Sequence, residues 1–474
     1  MTADAFFRLL KTAFPFEVTE EQEATLFKLS NFIFSPNTNE VFILKGYAGT
    51  GKTTLIGTLV NNIWKIKKSA VLLAPTGRAA KVITNYSKKE ATTIHKKIYT
   101  ARYSKNGKVD FIIDINKHKK TLFIVDEASM ISDMPSQAKL FGSGSVLDDL
   151  MQYIYSGHQC KLLIIGDTAQ LPPVSLDVSP ALNEQNIDLR YQKQTYLQQL
   201  TQVVRQAEDS GILYNATRIR EQIRNNSTQF QFQLQHYTDI RRLVDGYEIL
   251  DAINEAFSDL GYEETAIIVR SNKRANLYNE QIRSRILFNE DSLSAGDYLM
   301  VVKNNYFWLK PTSDAGFIAN GDIVEVLEIF AFKELYGFKF AEVKVRMVDY
   351  PKMRPFETVL ILDTIKAETP SLTYEDNNKL YQEVLKDYED EPKPYKKFLK
   401  VKNNKFLNAL QVKFSYAITC HKSQGGQWHT VFVEQPYLHN EVDIEYLRWL
   451  YTAVTRARKK LYLIGFKDQF FREE

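Results

Sequence analysis

Gly46-Tyr47-Ala48-Gly49-Thr50-Gly51-Lys52-Thr53, with Thr54 after it, is the stretch that decides the fold. An apolar, β-branched run, Val41–Leu44, precedes it and a helical pattern follows. That setting makes the glycine spacing a phosphate-binding loop. The glycines let the backbone curl so that successive N–H groups face phosphate oxygens. Lys52 supplies a point charge to the outer phosphates, and the Thr53 hydroxyl takes a place on magnesium. The helix that starts there adds its positive end to the same anion. Gly46, Ala48, Gly49, Thr50, Gly51, Lys52, Thr53 and Thr54 are therefore the expected nucleotide-contacting set.

Working outward, the rhythm of strand, turn and helix repeats at Ala70–Ala74, Leu122–Val125 and Leu162–Ile165, which predicts a parallel sheet flanked by helices. The third strand runs into Asp126 and Glu127. Two adjacent carboxylates standing alone would read as the cap of the next helix. At a strand's C-terminal edge beside a phosphate loop, Asp126 is expected to hold magnesium and Glu127 to orient and deprotonate the attacking water. The fourth strand leads into Asp167-Thr168-Ala169-Gln170-Leu171-Pro172-Pro173, where Gln170 has the length to reach a terminal phosphate.

A second set of strands is expected at Thr265–Val269, Phe414–Thr419, Thr430–Glu434 and Lys460–Ile464. Between Arg285 and Gln411 the pattern changes to closely spaced antiparallel strands, a small barrel inserted into the second core. A charged, partly helical, solvent-facing segment from Pro370 to Asn404 follows. Asn106-Gly107 between strand-like runs predicts a hairpin at about 96–117, inside the first core. The expected units are 1–185 (first core), 186–284 and 412–474 (second core), and 285–411 (barrel plus extension). The chain is α/β: two parallel-sheet cores, a barrel and a hairpin.

Composition narrows the class only modestly. With 474 residues, 44% hydrophobic and 25% charged, the chain has the profile of a globular protein of several domains. No apolar run reaches the ~20 residues needed to cross a bilayer, so no membrane partner is expected. Two cysteines, Cys160 and Cys420, provide no disulfide framework, which fits a cytoplasmic setting. A net charge of +4 tolerates a polyanionic partner without demanding one.

These elements together resemble the first core of a superfamily 1 helicase, and the rest of the chain continues the likeness. Ala74–Ile83 resembles that family's strand-contacting motif, and Thr92-Thr93-Ile94-His95 the short Thr-x-His element of its 1B branch (the RecD, Dda and Pif-type enzymes). Leu200–Gln206, Ala417–Gly425 and Tyr451–Arg458 resemble its later motifs, and Gln22 stands where the family places an adenine-reading glutamine. The resemblance implies two RecA-like cores, an SH3-like barrel, and a 5′→3′ DNA helicase using ATP and Mg²⁺. It also implies a monomer acting on single-stranded DNA and duplex junctions.

Carried over residue by residue, Arg205 and Arg456 become the arginines that meet the terminal phosphate, and Gly425 joins the nucleotide set. Pro75, Thr76, Thr93 and His95, then Thr419, His421, Lys422 and Ser423, become the strand contacts. Asn106 and Gly107 become the tip of a wedge. Arg205 reads equally as a helix-end charge, and Trp428 either as a base-stacking group or as core. The family's ribose-contacting glutamate is replaced here by Gln427. Two rival readings stay open: a translocase that unwinds poorly, and a nucleotide-switched binding module.

Overall fold

The computed structural model describes all residues except 104–108, 135–141, 204–208, 311–312, 439–441 and 472–474. In the first core the strands are β1 (Glu40–Gly46), β2 (Ser69–Ala74), β3 (Ala91–Thr93), β4 (Tyr99–Tyr103), β5 (Val109–Ile113), β6 (Thr121–Val125), β7 (Lys161–Gly166) and β8 (Gln194–Leu200). Six of them form one parallel sheet in the order β3-β2-β6-β7-β1-β8. Every residue of β6 and β7 is buried, as expected for strands covered by helices on both faces. β4 and β5 pair separately as an antiparallel hairpin, and its turn, with Asn106 and Gly107, lies outside the described residues.

The second core holds β9 (Ile240–Leu243), β10 (Thr265–Val269), β16 (Ala417–Thr419), β17 (Trp428–Glu434) and β18 (Ala457–Ile464), ordered β16-β10-β17-β18-β9 and parallel throughout. Inserted between β10 and β16 is a closed barrel of β11 (Tyr298–Val301), β12 (Ile323–Leu335), β13 (Phe338–Met347), β14 (Phe356–Ile361) and β15 (Leu410–Phe414). Two helices, Tyr374–Lys386 and Pro394–Lys402, make up most of the charged segment; they bury Leu380, Val384 and Val401 against Phe338 and Phe340 of the barrel.

Two sequence expectations are corrected. Residues 186–200, assigned to the second core, instead contribute β8, which pairs with β1 across its whole length. Gln194-Thr-Tyr-Leu-Gln-Gln-Leu200 escaped notice because an edge strand needs no continuous apolar run. Phe414–Thr419 is not one strand but two. β15 ends at Phe414 and closes the barrel, Ser415 N–H donates to the Tyr298 carbonyl (3.2 Å), and after Tyr416 the chain enters the second sheet as β16. Sequence periodicity is unbroken there because both sheets bury their strands.

Candidate nucleotide cleft and strand channel

The helix Lys52–Asn62 begins at Gly51, which sits at φ 81° and offers no side-chain cap. Its first N–H groups are thus left for an anion. Only glycine is at ease here: a Cβ on Gly51 would also come 2.4 Å from Gln22 Nε2. Gln22 is almost fully buried; its Nε2 donates to the Thr50 carbonyl (3.0 Å) and its Oε1 accepts from Thr19 N–H (3.1 Å). Gln22 thus also braces the phosphate loop, while its Oε1 completes the Thr19-x-x-Gln22 capping box at the start of its helix. Lys52 Nζ donates to the carbonyls of Gly46 (2.5 Å) and Tyr47 (2.7 Å), and Thr50 Oγ1 to that of Tyr47 (2.8 Å). Thr53 is exposed at the mouth of the loop and Thr54 is half-buried.

Asp126 accepts from the Tyr86 hydroxyl (2.9 Å) and from Glu127 N–H (2.8 Å). Glu127 adopts φ 53°, a left-handed conformation costly for a residue with a Cβ. Removal from water pushes its carboxyl above the usual carboxylate range, against the pull of Arg456 and Lys52 and with a further push from Asp126. A carboxyl raised in this way is suited to accept a proton. The hydroxyl of Thr53 and carboxylate of Asp126 are hard oxygen donors of the kind magnesium takes. Gln170 Oε1 is buried without a hydrogen-bond partner among the described residues, so the cleft retains an unspent polar atom where a nucleotide's outer phosphates are expected.

From the other side, the helix Ile444–Val454 grips the loop after β7. The fully buried Tyr451 hydroxyl donates to Asp167 Oδ2 (2.7 Å) and accepts from Ala48 N–H of the phosphate loop (2.9 Å). Thr452 Oγ1 accepts from Leu171 N–H (2.8 Å), Gln424 Nε2 donates to the Leu171 carbonyl (2.7 Å), and Arg448 donates to the Thr168 carbonyl. Arg456, 3% exposed, is held by the carbonyls of Thr452 (2.9 Å) and Gly426 (3.2 Å). Another second-core arginine went unnoticed in the sequence: Arg220, in the helix Gly211–Arg224, stacks its guanidinium over the Tyr47 ring, 4.4 Å from the centroid. Arg205 lies outside the described residues.

Gly425 has φ 73°, and a Cβ there would lie 2.8 Å from the Ala79 Cβ. It marks the close approach of the two cores, a packing role that its place in the nucleotide set did not anticipate. Trp428 is 2% exposed beneath the Arg78 guanidinium (4.0 Å), so it is core.

Six of the eight expected strand contacts line one cavity of about 430 Å³: Pro75, Thr76, Thr93 and His95 on the first core, His421 and Lys422 on the second. The barrel adds Asn304, Phe317, Asn320 and Gly321. Thr76 and Thr93 each cap a helix through Oγ1, accepting from Ala79 and Lys96 N–H (3.2 Å each). Their hydroxyl hydrogens remain to donate to phosphate oxygens. Burial brings the His95 imidazole down to about 4, so it is neutral at pH 7, and lowers Lys422 to about 8. Lys422 Nζ donates to Asn320 of the barrel and Lys96 Nζ to the Asp314 carbonyl, closing the walls against each other. Ser423 does not join: it is fully buried and donates to the Cys420 carbonyl (2.7 Å). Thr419 precedes the short helix Cys420–Ser423 and is half-buried outside the cavity lining. Beside the channel, Phe111 of the hairpin meets Tyr306 of the barrel segment at 4.4 Å between ring centroids.

Fold and site together define a two-core, phosphate-loop nucleotide-binding protein with a channel across both cores. Residues 33–242 match the family model described as an AAA domain, and residues 414–464 the model of the UvrD-like helicase C-terminal domain. The uncharacterized protein R530 of Acanthamoeba polyphaga mimivirus is 26% identical over 93% of this chain and 98% of its own length. The ATP-dependent DNA helicase dda of Enterobacteria phage T4 is 25% identical over 89% and 93%. A Bacteroides Pif1 helicase solved with ADP-AlF3 and ssDNA is 17% identical, with 97% and 95% covered and a TM-score of 0.41. These family-model matches and relatives support a superfamily 1B helicase of the Pif1/RecD/Dda-like kind. Among the described residues, no helix is long and apolar enough to cross a membrane.

Proposed function

We propose that this protein is an ATP-dependent 5′→3′ DNA helicase that moves along single-stranded DNA and separates the duplex ahead. The observation that carries this reading is the double role of the second core. One segment, Gln424–Arg456, lines the strand channel at one end and holds the phosphate-loop and Asp167 region at the other. Nucleotide binding and strand grip are thereby mechanically joined, and a nucleotide that closes the cleft biases the channel by its differential contacts with the two states.

In the cleft, Lys52 and the loop amides bind the phosphates of ATP, Glu127 takes the proton of the attacking water, and Arg456 meets charge as it develops. Magnesium would be held by the Thr53 hydroxyl and Asp126 and would supply charge neutralisation between the outer phosphates. Thr76, Thr93 and Lys422 hold the strand's phosphates, and neutral His95 lies against its bases. The β4–β5 hairpin acts as the wedge, braced by Tyr306.

Strand displacement on matched duplexes tests the reading. A 5′-tailed duplex should be opened and a 3′-tailed one left intact; preference for the 3′ tail would overturn the direction, and ATPase without unwinding of either would reduce the protein to a translocase. Replacing residues 104–108 with a shorter link should preserve DNA-stimulated ATPase while unwinding collapses. Each base-pair step resists opening by ~1.4 kcal/mol on average, and without a wedge only thermal fraying removes it. A shortened variant that unwinds like the parent would remove the wedge from the mechanism.

A further inference from the structure

The functional groups above gather at the C-terminal ends of the first sheet's strands. The opposite edge is built from residues 35–40, 63–69, 115–121, 156–161 and 191–194, and these loops carry eight lysines against a single glutamate in a chain whose total charge is only +4. Among the described residues only Lys161 of the eight is within ion-pair distance of a carboxylate, Glu40 at 2.6 Å, and both are buried. Lys65, Lys67, Lys119 and Lys120 are exposed, and the exposed Asp114 at the start of the third loop is not within ion-pair distance of any of them.

The loops are tied together: Ser69 N–H donates to the Lys120 carbonyl (3.4 Å) and Lys120 N–H to that of His158 (2.9 Å). Lys67 and Lys120 occupy left-handed conformations, φ 57° and 49°, where glycine or asparagine would be less strained. Like charges crowded at such positions oppose folding, which points to a role outside stability. Trp64, in the same segment as Lys65 and Lys67, is 67% exposed, while the other three tryptophans are buried or half-buried. Uncompensated cations around an exposed aromatic plane match the chemistry of single-stranded nucleic acid: phosphates for the lysines and a base face for the indole. The patch also has an entrance, since the chain leaves the hairpin at Ile113 and runs directly into the loop bearing Lys119 and Lys120.

We propose that this edge is a second nucleic-acid surface that guides the displaced single strand away from the hairpin, with its phosphates on Lys65, Lys67, Lys119 and Lys120 and a base against Trp64. The inference rests on the helicase reading for where that strand comes from. The test uses a fork with a 5′ oligo-dT tail and a 3′ oligo-dT tail, with 5-iododeoxyuridine placed in one tail, the other, or the duplex. Irradiation should join the displaced tail to the peptide containing Trp64. Joining from the duplex body alone would overturn the proposal, as would joining of both tails only at channel residues.

A Lys65→Glu/Lys67→Glu/Lys119→Glu/Lys120→Glu variant should keep ATPase stimulated by short oligo-dT, which also reports that it folds. Its fork binding should lose about 3 from the log–log salt slope, at ~0.7 per phosphate contact. An unchanged slope with normal ATPase sinks the surface and leaves the helicase reading intact, whereas a parent protein without DNA-stimulated ATPase would strike the helicase reading, and the salt slope would still decide whether the surface binds nucleic acid. Trp64→Ala by itself should weaken fork binding about tenfold, at ~1–3 kcal/mol per stacked base, and leave binding of a duplex with only the channel tail unchanged.

Discussion

The two cores are built on the same plan and have divided the labour. After β1 the first core places Gly46–Thr53, a loop whose backbone amides can wrap an anion. After β10 the second core places Arg270-Ser271-Asn272, where Ser271 caps the next helix through its own side chain and spends the amide that a phosphate would need. The first core thus provides a backbone cradle together with Lys52, Asp126 and Glu127, and the second provides the Tyr451 hydroxyl and the Arg456 guanidinium that close on it. Backbone sites tolerate changes of side chain poorly only where a Cβ or a special φ intervenes, whereas a side-chain site stands or falls with single hydroxyls and guanidinium groups. Substitutions on either side of the cleft should therefore differ in kind.

The largest effects belong to the first core. Lys52→Ala should abolish both ATP binding and hydrolysis. Glu127→Gln should leave ATP affinity within about threefold while turnover falls ~10²–10⁴-fold, the range that a positioned general base contributes. Near-normal hydrolysis in Glu127→Gln, measured with saturating single-stranded DNA, would take the base away from this residue.

Next comes the arginine of the second core. Arg456→Lys retains the charge but loses the planar fork, and turnover should drop ~10³-fold or more with little change in KM for ATP. An equal loss in affinity and turnover would make Arg456 a ground-state ligand.

A sharper probe of the division is Tyr451→Phe, which preserves the ring in its buried slot and deletes one hydroxyl. Asp167 and the Ala48 amide then lose their shared partner across the cleft. A hydrogen bond to a charged group contributes about 1.5–3 kcal/mol, so DNA-stimulated turnover should fall roughly tenfold or more while DNA-independent turnover and KM change little. If both rates fall together, the tyrosine serves only the fold.

The smallest effect concerns the channel. Burial has lowered Lys422 to about 8, so its positive charge is present at pH 7, halved near pH 8 and lost by pH 9. Affinity for single-stranded DNA, measured by anisotropy at constant ionic strength, should decline over that window, and Lys422→Met should flatten the decline. Between pH 6 and 7, His95 contributes no slope because it is already neutral.

What the sequence determined alone was whatever resides in consecutive residues. The phosphate loop, the strand that ends in Asp126-Glu127 and the barrel strands are all specified by local backbone demands or by a short period of apolar residues, so they could be read directly. The order of motifs also placed Pro75, Thr76, Thr93, His95, His421 and Lys422, which the fold then gathered into one cavity. What only the tertiary structure decided was how side chains were spent. Gln22 carries a motif position and also holds the phosphate loop through Thr50 and Thr19, and Ser423 lies one residue from Lys422 yet faces the interior. The strand β8 and the switch from barrel to sheet at Ser415-Tyr416 depend on which partner strand is adjacent, and no local pattern encodes that. Tyr451 meets Ala48 across 403 residues of chain. Such a contact follows from the packing of two cores against each other, and packing is a property of the assembled surfaces, not of any window of sequence.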